Sequence, residues 1–233
     1  MSAPHRLHDT EATIARLRAI TEAVRLDPRF LHDDRSRAWI AAETAGLGRV
    51  LDVGEGMRGA LAGRAGVETL DLNDVEDAHD RLTRPDLLGD VCQPFPDWMH
   101  ERYDAVIALA ILEHVYDPPA AVANFRACLA PGGRLFLYVP WMWRYHAPKS
   151  LIFQDYQRFS RDGLAYLLRD FEDVTLYPIR GKYAAIANML RWWKPVVERR
   201  LGGRLGQLLD ARVPARRNAL QASGYIAAAR KPG

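Results

Sequence analysis

Residues 49–56 read Arg-Val-Leu-Asp-Val-Gly-Glu-Gly. Val50, Leu51 and Val53 make a short apolar run of the kind that fills a strand buried on both faces. The run ends in Gly54 and Gly56 and passes into a segment with helical character. Glycine at such a corner lets the backbone turn sharply and lets a ligand come close to the main chain. The N–H groups that open the next helix are available to a polar or anionic ligand. An ordinary tight turn uses the same residues, so the neighbouring sequence has to decide between the two.

Working outward, a nucleotide-type fold needs its next strand about 20 residues further on. Val67-Glu68-Thr69-Leu70-Asp71-Leu72 supplies it and ends in a carboxylate. Asp71 is placed to accept hydrogen bonds from ribose hydroxyls, or to cap the turn before Asn73 and Asp74. Leu87-Leu88-Gly89-Asp90-Val91 reads as another short strand ending in an acid, and Tyr103–Leu109 as a clean buried strand. A helix over about 118–129, a Pro-Gly-Gly turn at 131–133 and a strand over 134–140 follow. Further strands are expected near 172–180 and 223–230. Strand and helix alternate, which predicts a parallel α/β sheet.

The run from about 49 to 140 resembles the class I S-adenosylmethionine-dependent methyltransferases. The resemblance rests on VLDVGEG, TLDLND, GDVCQPFPDWMHERYDAVIALAILEHV and LAPGGRLFLYVP, and it returns in GKY at 181–183 and GYIAAARK near the end. It implies a Rossmann-like, seven-stranded, mostly parallel sheet with helices on both faces. Residues 1–46 would be an N-terminal helical cap, and 47–233 the methyltransferase domain with a helical insertion at 182–221. It also implies that S-adenosylmethionine is bound and S-adenosylhomocysteine released. Asp52, Gly54 and Gly56 would cradle the amino-acid end of the cofactor. Asp71, with Leu72 beside it, would hold the ribose, Asp90 and the Val91 backbone would face the adenine, and Ala110 would line the same pocket. Two departures stand out. Glu55 occupies a place that is usually small and faces either the methionyl ammonium or solvent. Arg58 replaces a common third glycine, with Gly59 one residue later. Gly54-Glu55-Gly56-Met57-Arg58-Gly59 also fits a dinucleotide fingerprint, but Leu-Glu-His after one strand and Pro-Gly-Gly before the next belong to the methyltransferase resemblance.

The 233 residues are 48% hydrophobic, enough for one domain with a core. No run of about 18 uncharged apolar residues occurs, so no membrane-spanning helix is expected. The N-terminus shows no apolar signal core. Cys92 and Cys128 suggest no disulfide framework, which points to a reduced cytoplasm. The seven histidines are scattered without a ligand pattern, and no metal is expected. From residue 180 onward, twelve Lys/Arg face only Glu198 and Asp210, a net of +10. With +3 overall, residues 1–179 carry −7. A basic region on an acidic body suggests an anionic partner or a solvated face paired with that body.

Within the basic region, Ile186, Leu190, Trp193, Val197 and Leu201 are spaced as on one helix face over 183–201. Trp192 and Trp193 beside Arg191 and Lys194 have the make-up of interfacial anchors. Pro195 would kink the helix, and a second helix is expected over 204–211. A lid over the substrate, a homodimer surface and a peripheral membrane patch are all open readings, whereas nucleic acid is disfavoured because no recognition module is present. In the cap, Ile14, Leu17, Ile20 and Val24 form a stripe, and a second helix over about 34–45 carries Trp39. These helices either cover the substrate side or simply pack on the sheet.

Methyl transfer is an in-line displacement at a sulfonium, so the protein positions the nucleophile and removes its proton. His114, directly after the Tyr103–Leu109 strand, and His146, after the 134–140 strand, are the candidate bases. Trp141 and Tyr145 could wall the substrate. Asp155, Tyr156 and Arg158, in a segment similar to the Asp-Tyr-x-Arg-Phe-Thr of a bacterial methyltransferase subgroup, are candidates for binding hydroxyl or carboxylate groups. Ser160 is the expected N-cap of a helix over 161–169. The expected reaction is methylation of a small-molecule or glycan acceptor, most simply at a hydroxyl oxygen. The alternatives are N- or C-methylation of a natural-product or lipid-linked substrate, or cofactor binding without catalysis.

Overall fold

The computed structural model describes residues 9–72, 75–76, 82–147, 153–189 and 203–233. Val50–Val53 (β2) is buried at all four positions, as a strand with a neighbour on each side and layers above and below must be. It pairs in parallel with Val67–Asp71 (β3) and with Tyr103–Leu109 (β7). Beyond β3 lies Leu87–Leu88 (β6), and beyond β7 lies Leu129–Pro140 (β8), both parallel to their neighbours. Gly224–Arg230 (β10) inserts antiparallel between β8 and Glu172–Ile179 (β9). Arg25–Leu26 (β1) adds a two-residue parallel edge to β9. The order is β1-β9-β10-β8-β7-β2-β3-β6.

The sheet therefore has eight strands where seven were expected. The extra one comes from the N-terminal segment, whose backbone joins the sheet at its edge instead of only capping it. Chain order reverses between β2 and β7, and in open α/β sheets ligands bind at the carboxyl ends of the strands around such a point.

Side chains alternate between the two faces with the period of two that a strand imposes. Leu51, Val53, Val106, Ala108, Leu135, Leu137 and Val139 pack with Phe125 of Pro118–Cys128 (α4) and Leu164 of Arg161–Leu167 (α5). Val50, Ile107, Leu109, Phe136, Tyr177 and Ile226 pack on the other face with Phe30, Met57 and Ile40 of Ser36–Thr44 (α2). Trp39 of α2 lies over the sheet, its ring 4.8 Å from Tyr177 and 5.7 Å from Phe136. Helix starts follow their capping residues. Asp117 accepts from Ala120 N with Pro118 in the first turn of α4, and Ser160 accepts from Gly163 N at α5.

Several expectations shift. The stripe expected in the cap divides: Val24, just past Thr10–Ala23 (α1), is buried in the core and Ile20 packs against it, while Ile14 and Leu17 are exposed at 49% and 42%. The helix after Gly56 is only Arg58–Leu61 (α3). The strand expected to run to Val91 stops at Leu88, which leaves Asp90 and Val91 in the following loop. A small hairpin, Val75–Glu76 (β4) with Leu82–Thr83 (β5), precedes β6. The Pro-Gly-Gly turn is a bulge inside β8, where two steps along β7 from Tyr103 to Ala105 match five along β8 from Leu129 to Arg134.

The insertion begins with Lys182–Met189 (α6). Its first N–H groups, which no turn of its own can satisfy, are capped from a distance. Lys182 N donates to Asn218 Oδ1 (2.7 Å), and Tyr183 N and Ala184 N donate to the two oxygens of Asp210 (3.0 and 3.1 Å). Asp210 closes Gly203–Asp210 (α7), and Asn218 lies in Ala215–Ala219 (α8), a short helix that the spacing did not predict. Both capping side chains are buried. Trp192, Trp193 and the rest of 190–202 lie outside the described residues. Among the described residues, no helix is long and apolar enough to cross a membrane.

Candidate active site

The loop after β2 is built around Asp52, a buried carboxylate whose Oδ2 accepts from Met57 N at 3.0 Å and so closes the turn. Gly54 sits at φ +70°, and its N donates to Leu70 O at 2.8 Å. A Cβ at Gly54 would lie 2.1 Å from Ile111 Cδ1, and one at Gly56 would lie 2.9 Å from Leu109 Cβ. The loop thus rests on Leu109 and Ile111 at the end of β7, and a Cβ at either glycine would force those side chains to shift. Glu55 adopts φ +52° without being glycine, and Ala110, at the end of β7, adopts φ +59°. Each of these two left-handed residues costs roughly 1–2 kcal/mol.

Next along the strand ends, Asp71 closes β3 and accepts from Leu72 N at 2.6 Å, with the Leu72 side chain exposed. Asp90 Oδ1 accepts from Cys92 N (2.8 Å), and its Oδ2 accepts from the Tyr116 hydroxyl (2.8 Å). Val91 is buried, and its carbonyl accepts from Asn124 Nδ2 at 2.8 Å. The residues expected to hold the cofactor therefore lie along the carboxyl ends of four adjacent strands, β7, β2, β3 and β6. The close backbone approach at Gly54 and Gly56 and the row of carboxylates fit a nucleoside with a polar amino-acid tail.

On the other side of the switch point, the segment after β7 and the long connection after β8 meet. Glu113 is 0% exposed, and among the described residues neither carboxylate oxygen has a hydrogen-bond partner. Its Oε1 lies 3.6 Å from His146 Nε2 and 3.8 Å from His114 Nε2. Each imidazole is fixed from its other nitrogen. His114 Nδ1 is 2.6 Å from Gln154 O, a carbonyl that can only accept, so Nδ1 carries the proton and Nε2 a lone pair. His146 Nδ1 faces two acceptors, Asp155 Oδ2 at 3.2 Å and Arg144 O at 3.3 Å, which favour the same tautomer over the one that the more distant donor Arg158 Nη2, at 3.4 Å, would select. The two rings meet edge to face, with centroids 4.8 Å apart.

The Glu113 carboxylate raises the His146 pKa above its ordinary value, against the opposing effect of burial. Two imidazole lone pairs and a carboxylate oxygen, all within 4.8 Å of one another, make a place for a proton; the same donor set suits a divalent cation. The fold thus gathers two histidines that looked scattered in the sequence.

Asp155 and Arg158 hold this arrangement. The Asp155 side chain is fully buried and accepts from His146 N (2.9 Å) and from both Nη atoms of Arg158. Burial raises the Asp155 pKa, but Arg158 and His146 overcome that and bring it down to about 2. Arg158 also donates to the carbonyls of Trp143, Arg144 and Gln157. The pair is thus engaged in shaping the loop that carries His146. Tyr156 N donates to Glu113 O (2.7 Å), while its side chain is exposed and reaches Gln154 Oε1. Trp141 packs against the core, and Tyr145 is exposed. Sequence reasoning named Glu113 only as the neighbour of His114. The available signal was a carboxylate directly after an apolar strand, a place where a charge needs a reason.

Beside the cluster is a cavity of about 610 Å³, roofed by residues 34–38 at the start of α2 and floored by Leu109, Tyr138, Ile179 and Ile226. The N-terminal segment therefore both packs on the sheet, through Trp39 and Ile40, and covers this opening.

A family model described as "Methyltransferase domain" matches residues 23–176. A highly reducing polyketide synthase, pkhB of Emericella nidulans, is 33% identical over 109 residues, which cover 38% of this chain and 4% of that protein. The chain thus spans only a small part of the curated relative it matches. Among solved structures, a SAM-dependent methyltransferase from Archaeoglobus fulgidus is 16% identical, with 84% of this chain and 95% of that one covered at a TM-score of 0.49. The 1,6-didemethyltoxoflavin-N1-methyltransferase of Burkholderia thailandensis, solved with its substrate and S-adenosylhomocysteine, is 19% identical, with 100% and 94% covered at a TM-score of 0.44.

Proposed function

The chain belongs to the methyltransferase-domain family, and from that premise we propose that it transfers the methyl group of S-adenosylmethionine to a hydroxyl oxygen of a small molecule or glycan. S-adenosylmethionine is the cofactor and S-adenosylhomocysteine the product. When bound, the cofactor supplies a methyl group on a positively charged sulfur, already a good leaving group. The chain has to hold that cofactor, place the acceptor in line with the methyl group and take a proton.

The loop at Gly54 and Gly56 receives the amino-acid end, Asp71 the ribose and the Asp90–Val91 loop the adenine. The acceptor enters from the cavity side. The observation that carries the oxygen assignment is the buried Glu113 oxygen facing the Nε2 atoms of both His146 and His114. A hydroxyl needs a base. His146 Nε2 takes its proton, Asp155 at Nδ1 holds the ring from behind as a carboxylate does for a histidine in other sites, and the Glu113 charge beside Nε2 stabilises the imidazolium that forms. His146 is 27% exposed and His114 13%, so the proton arrives from the imidazole side, because Glu113 itself is sealed. Asp155 and Arg158 act as positioning residues for His146. The buried free thiols of Cys92 and Cys128 support a reducing, cytoplasmic setting.

The test is turnover with methyl-deuterated S-adenosylmethionine across hydroxylated acceptors, read by mass spectrometry and NMR. The expected product carries the label on oxygen, with one S-adenosylhomocysteine formed per product. Label found only on nitrogen or carbon would overturn the oxygen assignment. Cofactor binding without any S-adenosylhomocysteine formed would favour a non-catalytic role.

A further inference from the structure

The cavity beside the histidine cluster holds polar groups that proton transfer does not use. Ser223 lines it, is 1% exposed, and among the described residues its Oγ has no hydrogen-bond partner. A buried hydroxyl left in that state is costly, and a polar ligand atom reaching it removes the cost. Tyr138 lines the same space, among the described residues without a hydrogen bond from its hydroxyl, and burial with the Glu113 charge nearby pushes its pKa up to about 12, so it stays a neutral donor.

Arg180, the residue after β9, completes the set. Its carbonyl accepts from Ser223 N at 3.1 Å, which ties the two positions together. Its guanidinium carbon is 5.9 Å from the Trp143 ring centroid. Among the described residues its side chain makes no ion pair or hydrogen bond. A guanidinium resting on an indole keeps its N–H edge open, and that edge matches a carboxylate in two parallel bonds.

The remaining charges do not cancel it. Arg35 and Arg37 sit at the rim, Arg35 paired to Asp33 at 2.7 Å. Asp34, the acid among the lining residues, accepts from Ser36 N and Ser36 Oγ. The cavity is thus net positive within a chain whose first 179 residues are net negative. Its volume suits a small organic molecule.

We propose that this cavity is the acceptor subsite and that it selects a ring-bearing hydroxy-carboxylate, with Arg180 holding the carboxylate, Ser223 and Tyr138 completing its hydrogen bonds, and Trp143 lying along the ring. Presenting the acceptor hydroxyl to His146 rests on the methyl-transfer reading. Anion binding by the cavity does not.

The experiment is calorimetric titration of the full chain with benzoate, 4-hydroxybenzoate and glucuronate, each against its neutral counterpart: benzamide, methyl 4-hydroxybenzoate and glucose. S-adenosylmethionine is titrated separately. The expected result is that at least one carboxylate binds at least tenfold more tightly than its neutral partner. Arg180→Met should lose that preference, Arg180→Lys should retain part of it, and Ser223→Ala should weaken carboxylate binding severalfold. Cofactor affinity and melting temperature of the Arg180 variants should stay at wild-type values.

Neutral partners that bind as tightly as the acids, or an Arg180→Met variant that binds the acid as well as wild type, would overturn the proposal. So would no carboxylate binding by a protein that binds S-adenosylmethionine. Carboxylate binding without cofactor binding would leave the anion subsite standing and remove the methyl-transfer reading.

Discussion

The two halves of the site are built in different ways. The half proposed to hold the cofactor uses residues that directly end or follow their strands: Gly54 after β2, Asp71 closing β3, Asp90 two residues past β6 and Ala110 after β7. The half proposed to take the acceptor collects side chains from five separate segments. Glu113 and His114 leave β7, Tyr138 belongs to β8, and His146 with Asp155 and Arg158 comes from the long connection after β8. Arg180 follows β9, and Ser223 precedes β10. The first half depends on backbone conformation and on carboxylates at fixed offsets, the second on tertiary placement. Substitutions should therefore separate the two halves cleanly.

The largest separation is expected at His146. His146→Ala should lower kcat by about 10²–10⁴-fold, the usual contribution of a general base, with cofactor affinity unchanged. In the wild type, Glu113 raises the His146 pKa, and the base must be unprotonated. The acid limb of the kcat profile should therefore lie above the ordinary histidine range, and Glu113→Gln should move it down. A cofactor affinity that falls with His146→Ala would erase the boundary between the halves.

Asp71→Ala tests the other half. Removing the charged acceptor for ribose hydroxyls should weaken S-adenosylmethionine binding by about 1–3 kcal/mol, with the acid limb of the rate profile unmoved. Unchanged affinity in calorimetry would mean that the ribose lies elsewhere.

Asp155 probes the support of the acceptor half. Its pKa is depressed to about 2, so its stabilising effect is complete above the ordinary carboxylate range and is lost as pH falls from about 4 towards 2. Wild type should exceed Asp155→Asn in urea-unfolding stability at pH 6, and the gap should shrink by up to roughly 2 kcal/mol by pH 2. A gap that does not change with pH would show that Arg158 and His146 do not depend on the Asp155 charge.

The smallest effect sharpens the cofactor half. Gly54→Ala forces an L-residue to φ +70° and presses on the flexible end of Ile111, a cost of about 1–2 kcal/mol in stability. Cofactor affinity should fall with it and carboxylate binding should not. The reverse pattern in paired titrations would count against the assignment of this loop.

What could be read in advance follows the same division. Val50–Val53 and Tyr103–Leu109 were legible because a strand buried on both faces is apolar throughout, and Ser160 because an N-cap is a local hydrogen bond. The positions of Asp71 and Asp90 at the carboxyl ends of the sheet were legible because they sit at fixed distances from strand ends. The end of β6 at Leu88 and the β8 bulge were not, since pairing is decided by the neighbouring strand and leaves little trace in the strand's own residues. The apolar stripe through α1 looked like a core face along its length, yet only Ile20 and Val24 reach the core and the fold leaves Ile14 and Leu17 exposed. The capping of α6 by Asp210 and Asn218 spans 26 to 36 residues and has no local signature.

The sequence by itself determined the alternation of strand and helix, the glycine corner and the carboxylates of the cofactor half, because these depend on local backbone preference and period. Only the tertiary structure decided that Glu113 faces two histidines, that Asp155 and Arg158 are turned to each other, and that Ser223, Tyr138 and Arg180 share one cavity. Those placements depend on which strand ends lie side by side. Long-range pairing sets that neighbourhood, and no stretch of the chain encodes it alone.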